Sequence, residues 1–176
     1  MERKGTTAAK TGAPGRFLVG VGVLLWDPAA ARYLLLRRAA ERDFEAGHWE
    51  CVTGRLEQGE GFEQAARREL REECGLAANL LAIVASMHFY RGPSRPEFEL
   101  VGVIYLATID GPSELRLSAE HSEARWLTAS EARDLLAGRS PAEAWLLRLI
   151  ARADRLRAAL PAGELERLSQ GGYELN

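Results

Sequence analysis

The sequence predicts a single α/β domain. Three observations carry that reading. Its 176 residues suffice for one core and would be cramped for two. Short apolar runs of strand character stand both before and after a strongly periodic helix in the first half. Two further helical segments then close the chain.

The elements follow in order. Residues 1–15, "MERKGTTAAKTGAPG", show no periodic apolar pattern and read as a mobile tail outside the fold. The runs "RFLVGVGVLLW" and "RYLLLRR" flank "DPAAA", a turn signal, and predict two strands arranged as a hairpin. A weaker third strand is expected at "WECVTG". In "EGFEQAARRELREECGL", Phe62, Ala65, Ala66, Leu70 and Cys74 recur at helical spacing, and Gly75 marks the stop. Strands are expected at "NLLAIVASMHFY", "FELVGVIYLATI" and "SEARWLT". "TASEARDLLAG" offers Thr128 or Ser130 as an N-cap and Gly138 as a stop, and "SPAEAWLLRLIARADRLRAAL" is a longer amphipathic helix with Pro141 in its first turn. The domain is therefore expected at 16–160, followed at 161–176 by a loosely attached extension.

Composition excludes several function classes. With 47% apolar residues, 27% charged residues and a net charge of −2, the chain has no general attraction to nucleic acid or anionic membranes. Cys51 and Cys74 lack metal-type spacing and are too few for a disulfide scaffold, so plain thiols in a reducing compartment are expected. No apolar run reaches the roughly 20 residues that span a bilayer. A cytoplasmic location is the expectation.

The periodic helix concentrates negative charge. Glu69, Glu72 and Glu73 stand at i, i+3 and i+4 and share a face, where like charges repel. A solvated acidic face is one explanation; a divalent cation held among the carboxylates is the other. Oxygen ligands alone suit Mg²⁺ or Mn²⁺ rather than zinc.

The surrounding residues Gly54, Glu60, Arg68, Glu69, Leu70, Glu72, Glu73, Gly75 and Leu76 match all nine defined positions of Gly-x5-Glu-x7-Arg-Glu-U-x-Glu-Glu-x-Gly-U, with U apolar. The segment thus resembles the Nudix hydrolase family, whose box has this form. That resemblance implies an α/β/α sandwich with a mixed sheet. It also implies an enzyme that cleaves a phosphoanhydride bond of a nucleoside diphosphate-linked small molecule with Mg²⁺ or Mn²⁺. Glu69, Glu72 and Glu73 would hold the metal, with Glu69 and Glu73 in direct contact and the Gly54 carbonyl joining them. Arg68 would pair with Glu60 and orient the carboxylates. Glu57 either borders the metal or is an exposed loop residue. For the general base, Glu120 in "LSAEHSEARWL" is favoured and Glu123 is the alternative; His121 is either functional or a surface residue.

Around the box, Trp49-x-x-Val52-Thr53-Gly54 is similar to the dihydroneopterin triphosphate and deoxynucleoside triphosphate pyrophosphohydrolase branch. ADP-ribose and dinucleoside polyphosphates remain as alternative substrates. Arg37, ahead of Arg38, is expected to clamp phosphate. Trp49, Phe89 and Tyr90 are candidates to stack on a base, against the alternative that they are core. Trp26, Trp126 and Trp145 read as packing residues. A non-catalytic nucleotide-sensing module would show a degraded box, and this box is intact. An isopentenyl diphosphate isomerase would need a catalytic cysteine in a local pattern that Cys51 lacks. A homodimer through the apolar C-terminal helix is left open.

Overall fold

The computed structural model describes residues 15–41, 45–109 and 114–174. All but Gly15 of the expected tail lies outside the described residues.

Strand β1 (Leu18–Asp27) turns into β2 (Arg32–Arg38) where the Asp27 carboxylate accepts the amides of Ala29 and Ala30 at 2.9 and 3.2 Å. This is the side-chain mimicry by which Asp starts a turn. The two strands then splay, because β1 pairs antiparallel with β2 only at Trp26 and Asp27. Lower on β1, Gly20–Val23 pair instead with β4 (Val52–Arg55). The expected third strand is thus divided: β3 (Trp49–Glu50) joins β2, while β4 joins β1. Cys51, at the break, is fully buried.

β5 (Ala78–Tyr90) and β6 (Glu99–Ile109) form an antiparallel pair, joined through a 3₁₀ turn at Pro96–Phe98. β6 runs parallel to β1 over nine registered residues, and β7 (His121–Leu127) lies antiparallel on β2. The sheet is therefore mixed, with order β3-β2-β1-β6-β5 and β4 and β7 attached to β1 and β2.

Period-2 alternation sends side chains to two separate cores. Val21, Val23 and Leu25 of β1 pack with Ala65, Ala66, Leu70 and Cys74 of helix α1 (Phe62–Cys74). Leu24 and Trp26 pack on the other face with Leu146, Leu149, Ile150 and Ala153 of helix α3 (Pro141–Ala159), beside helix α2 (Ala129–Leu136). The result is an α/β/α sandwich. Thr128 and Ser140 start α2 and α3 through complete capping boxes with Glu131 and Glu143. α1 ends at Gly75 in the left-handed conformation, with Gly75 N–H and Leu76 N–H returning to the Arg71 and Leu70 carbonyls.

The C-terminal segment departs from expectation. It is anchored: helix α4 (Glu164–Leu168) buries Leu165 in the α3-side core, and the Tyr173 hydroxyl donates to the Leu81 carbonyl on β5. Polarity and the four glycines and prolines of residues 161–176 suggest a loose end only when the few apolar anchors are overlooked. Among the described residues, no helix is long and apolar enough to cross a membrane.

Candidate active site

Helix α1 presents Glu69 and Glu73 toward β4. A charged cleft of about 450 Å³ is lined by Glu57, Glu69, Glu73 and Glu120 together with Arg38, Arg55, Arg68 and Arg91, and by Thr53 and Gly54 among others. Glu69 and Glu73, one turn apart, both reach it. Glu72 does not: it projects outward, and its carboxylate pairs with Arg68 at the rim.

Arg68 organises this end. Its Nε and Nη2 each donate to one oxygen of Glu60 at 2.9 Å, the planar two-point contact that a guanidinium makes with a carboxylate. Nη1 donates to Glu69 Oε1 at 2.8 Å and to Glu72 Oε2 at 2.9 Å, and Nη2 also reaches the Arg55 carbonyl. The Arg68 hydrogen bonds hold the Glu60 carboxyl below the usual carboxylate range. Pairing of Arg68 with Glu60 follows the expectation; its direct grip on Glu69 and Glu72 extends it.

Glu73 sits in an unfavourable electrostatic setting. It is 5% exposed. Burial, with the negative charges of Glu50, Glu69 and Glu120 around it, pushes its carboxyl up to about 9, against a backbone hydrogen bond from Thr53. One of its oxygens, Oε2, is buried without a hydrogen-bond partner and stands 3.9 Å from His121 Nε2. Burial likewise raises the Glu69 carboxyl. The glycine at 54 is required by this packing, because a Cβ there would lie 1.9 Å from the Glu69 carboxyl.

Beneath Glu73 lies a layer built on Glu50, a residue that sequence reasoning missed. Glu50 Oε1 accepts from Arg38 Nη1 at 2.8 Å and lies 3.0 Å from His121 Nε2, while Glu50 Oε2 accepts from the Thr53 hydroxyl at 3.1 Å. His121, open between function and surface on sequence grounds, has a fully buried side chain. Arg37 and Arg38 exchange their expected parts. Arg38 shares the inward, α1-side parity of Leu34 and Leu36 and lines the cleft. Arg37 points outward, donates to the Gly47 carbonyl and sits 3.7 Å from Glu123. Glu123 is also paired with Arg125 at 2.6 Å, away from the cleft, whereas Glu120 lines it.

A second, largely apolar cleft of about 590 Å³ adjoins the first and shares Arg38, Thr53, Gly54 and Arg91 with it. Phe89, Tyr90 and Trp49 form part of its wall, as do Pro141, Trp145 and Leu146 at the start of α3. Trp49 contributes little open surface, being 3% exposed with the Arg125 guanidinium 5.3 Å from its ring. Trp145, expected to serve packing alone, faces this cleft from α3.

The residues suit a hard divalent cation. All donors are oxygens, the buried Glu73 oxygen lacks a partner, and Gly54 leaves the space that Glu69 occupies. Among the described residues, no group of three or more His, Cys, Asp or Glu is already arranged to hold a metal ion. The fit therefore rests on Glu69 and Glu73, with Glu120 lining the same cleft.

The NUDIX domain family model matches residues 16–153. The chain belongs to the Nudix family. It is 32% identical over 136 residues to an RNA pyrophosphohydrolase of Novosphingobium aromaticivorans, covering 66% of this chain and 80% of that protein. To a bis(5'-nucleosyl)-tetraphosphatase [asymmetrical] of Caenorhabditis elegans it is 29% identical over 117 residues, 63% of this chain and 79% of that one. An octanoyltransferase of Myxococcus xanthus is 35% identical over 118 residues, 67% of this chain, but the chain spans only 32% of that longer protein. The fold is that of the MutT protein from Methanosarcina mazei Go1, with a TM-score of 0.65 at 21% identity, covering 83% of this Nudix chain and 99% of the other.

Proposed function

We propose that this Nudix protein hydrolyses a phosphoanhydride bond of a nucleoside 5′-phosphate derivative with the help of Mg²⁺ or Mn²⁺. One observation carries the reading: a charged cleft lined by Glu73, one of whose oxygens is buried without a hydrogen-bond partner, adjoins a largely apolar cleft with aromatic walls, and Arg38 and Arg91 line both. A nucleotide has the same polarity along its length, anionic at one end and flat and apolar at the other.

In this reading Glu69 and Glu73 hold the cation, and Arg68 fixes the Glu69 carboxylate in place. When bound, the cation offsets phosphate charge and lowers the pKa of a water molecule so that hydroxide is available near neutral pH. Arg38 and Arg91 direct guanidinium charge at the phosphates where the clefts meet. Glu120 accepts the proton of the attacking water. Phe89, Tyr90 and Trp145 enclose the base, each stack being worth roughly 1–3 kcal/mol.

The Trp49-x-x-Val52-Thr53-Gly54 segment favours a nucleoside or pterin triphosphate, with release of pyrophosphate. The curated relatives favour anhydrides of nucleotides in RNA or in dinucleoside polyphosphates. Hydrolysis assays with Mg²⁺ and with Mn²⁺ on these substrates and on ADP-ribose, run beside Glu73→Gln, decide among them. Turnover of one class that collapses in the variant supports the proposal. Tight nucleotide binding without turnover of any substrate refutes it and favours a sensing module.

A further inference from the structure

Helix α1 carries the metal-holding carboxylates, yet it starts without a cap of its own. Gly61 stands at the N-cap and has no side chain to offer the first-turn amides, which need acceptors from outside the helix. Those acceptors come from the far end of the chain. The Phe62 amide donates to Glu174 Oε1 at 2.6 Å, and the Glu63 amide to Glu174 Oε2 at 3.4 Å. Glu63 Oε1 in turn accepts from the Glu174 amide at 3.3 Å and from the Tyr173 amide.

Two glycines make the reciprocal contact fit. A Cβ on Gly61 would lie 2.4 Å from Glu174 Oε2, and one on Gly172, whose φ is +81°, would lie 2.9 Å from Glu63 Oε1. The path of the segment is equally specific. Leu165 enters the α3-side core, whereas Tyr173 packs against the α1-side core, 5.9 Å from the Tyr105 ring, with its hydroxyl on Leu81 of β5. The segment therefore passes around the β5 edge of the sheet, from one face to the other. It lies beyond the residues that the family model covers.

We propose that residues 161–174 form a clasp that positions the metal-holding helix, with Glu174 as the positioning residue. A carboxylate at a helix N-terminus satisfies amides and complements the helix dipole. Here it also fixes the backbone next to Glu60, whose carboxylate holds Arg68 and through it Glu69. The inference rests on the reading of Glu69 and Glu73 as cation ligands.

The test uses the full chain with Glu174→Ala, Glu174→Gln and Glu63→Ala. Hydrogen exchange of the α1 amides, Mn²⁺ affinity by water-proton relaxation, and kcat and KM are measured on each. In Glu174→Ala and Glu63→Ala, exchange at the first turn of α1 should accelerate about tenfold. Mn²⁺ should bind several-fold more weakly, and kcat should fall with KM little changed. Glu174→Gln, which keeps an acceptor oxygen, should recover most of each effect. Unchanged α1 exchange and Mn²⁺ affinity in Glu174→Ala, even with a lower Tm, would overturn the clasp. The exchange readout is independent of turnover. A wild-type chain that neither binds Mn²⁺ nor turns over would overturn the metal reading, and with it the positioning role, even where the exchange data show the contact.

Discussion

Replacing Glu73 by Gln should make the metal-free protein more stable, and increasingly so as pH rises. The carboxyl has a folded pKa near 9 against 4.5 for the free group, so between these values the folded state holds a proton that the unfolded state releases. Stability contributed by this group is full below about pH 4.5 and is lost as pH rises toward 9. At about 1.4 kcal/mol per pH unit, the loss between pH 5 and pH 8 comes to about 4 kcal/mol. Glutamine fills the same volume and does not titrate. Urea unfolding in EDTA should therefore show the gap between Glu73→Gln and wild type widening by about 4 kcal/mol from pH 5 to pH 8. Saturating Mg²⁺ should reverse the order at pH 8, because a ligand bound only by the folded wild type stabilises it. A gap that stays constant with pH in EDTA would refute the argument that burial beside Glu50, Glu69 and Glu120 raises the Glu73 carboxyl.

Other perturbations have equally definite outcomes. Arg68→Ala strands Glu60 and Glu69 together, and should cost about 3 kcal/mol in urea unfolding, with Arg68→Lys restoring only part because it cannot bind Glu60 at two points. Gly54→Ala places a Cβ 1.9 Å from the Glu69 carboxyl, and should lower kcat about tenfold or more by displacing that carboxylate. Arg38→Ala should raise KM and destabilise the fold through Glu50, whereas Arg37→Ala should change stability by less than about 1 kcal/mol and leave kinetics unaltered. Trp145→Ala should raise KM about tenfold with a smaller change in kcat, consistent with the loss of one base contact.

Much of this architecture is legible in the sequence because it is local. The spacing of Ala65, Ala66, Leu70 and Cys74 specifies α1 and its buried face, and Gly75 specifies where it ends. The box positions Glu60, Arg68, Glu69 and Glu73 follow from the same short stretch. Strand parity could also have found Glu50 and Arg38: Trp49 and Cys51 alternate with Glu50 and Val52, and Arg38 falls in step with Leu34 and Leu36. Read that way, both charged residues lie on the α1 side, beneath the carboxylates. His121 was harder to place, since its burial depends on β7 meeting β2 with a register shift beside Arg38. The C-terminal contact with α1 was illegible because it joins residues 110 or more apart in sequence, and no local pattern reports a hydrogen bond between Glu174 and the start of α1.

Metal-assisted attack of water at phosphorus is tested by hydrolysis in ¹⁸O-labelled water, with Mg²⁺ or EDTA, for wild type and Glu73→Gln. Wild type with Mg²⁺ should place ¹⁸O in a phosphate group of the products, and EDTA or the variant should abolish it. Turnover that persists in EDTA, or label found on a carbon-bound oxygen instead of phosphate, would contradict that mechanism.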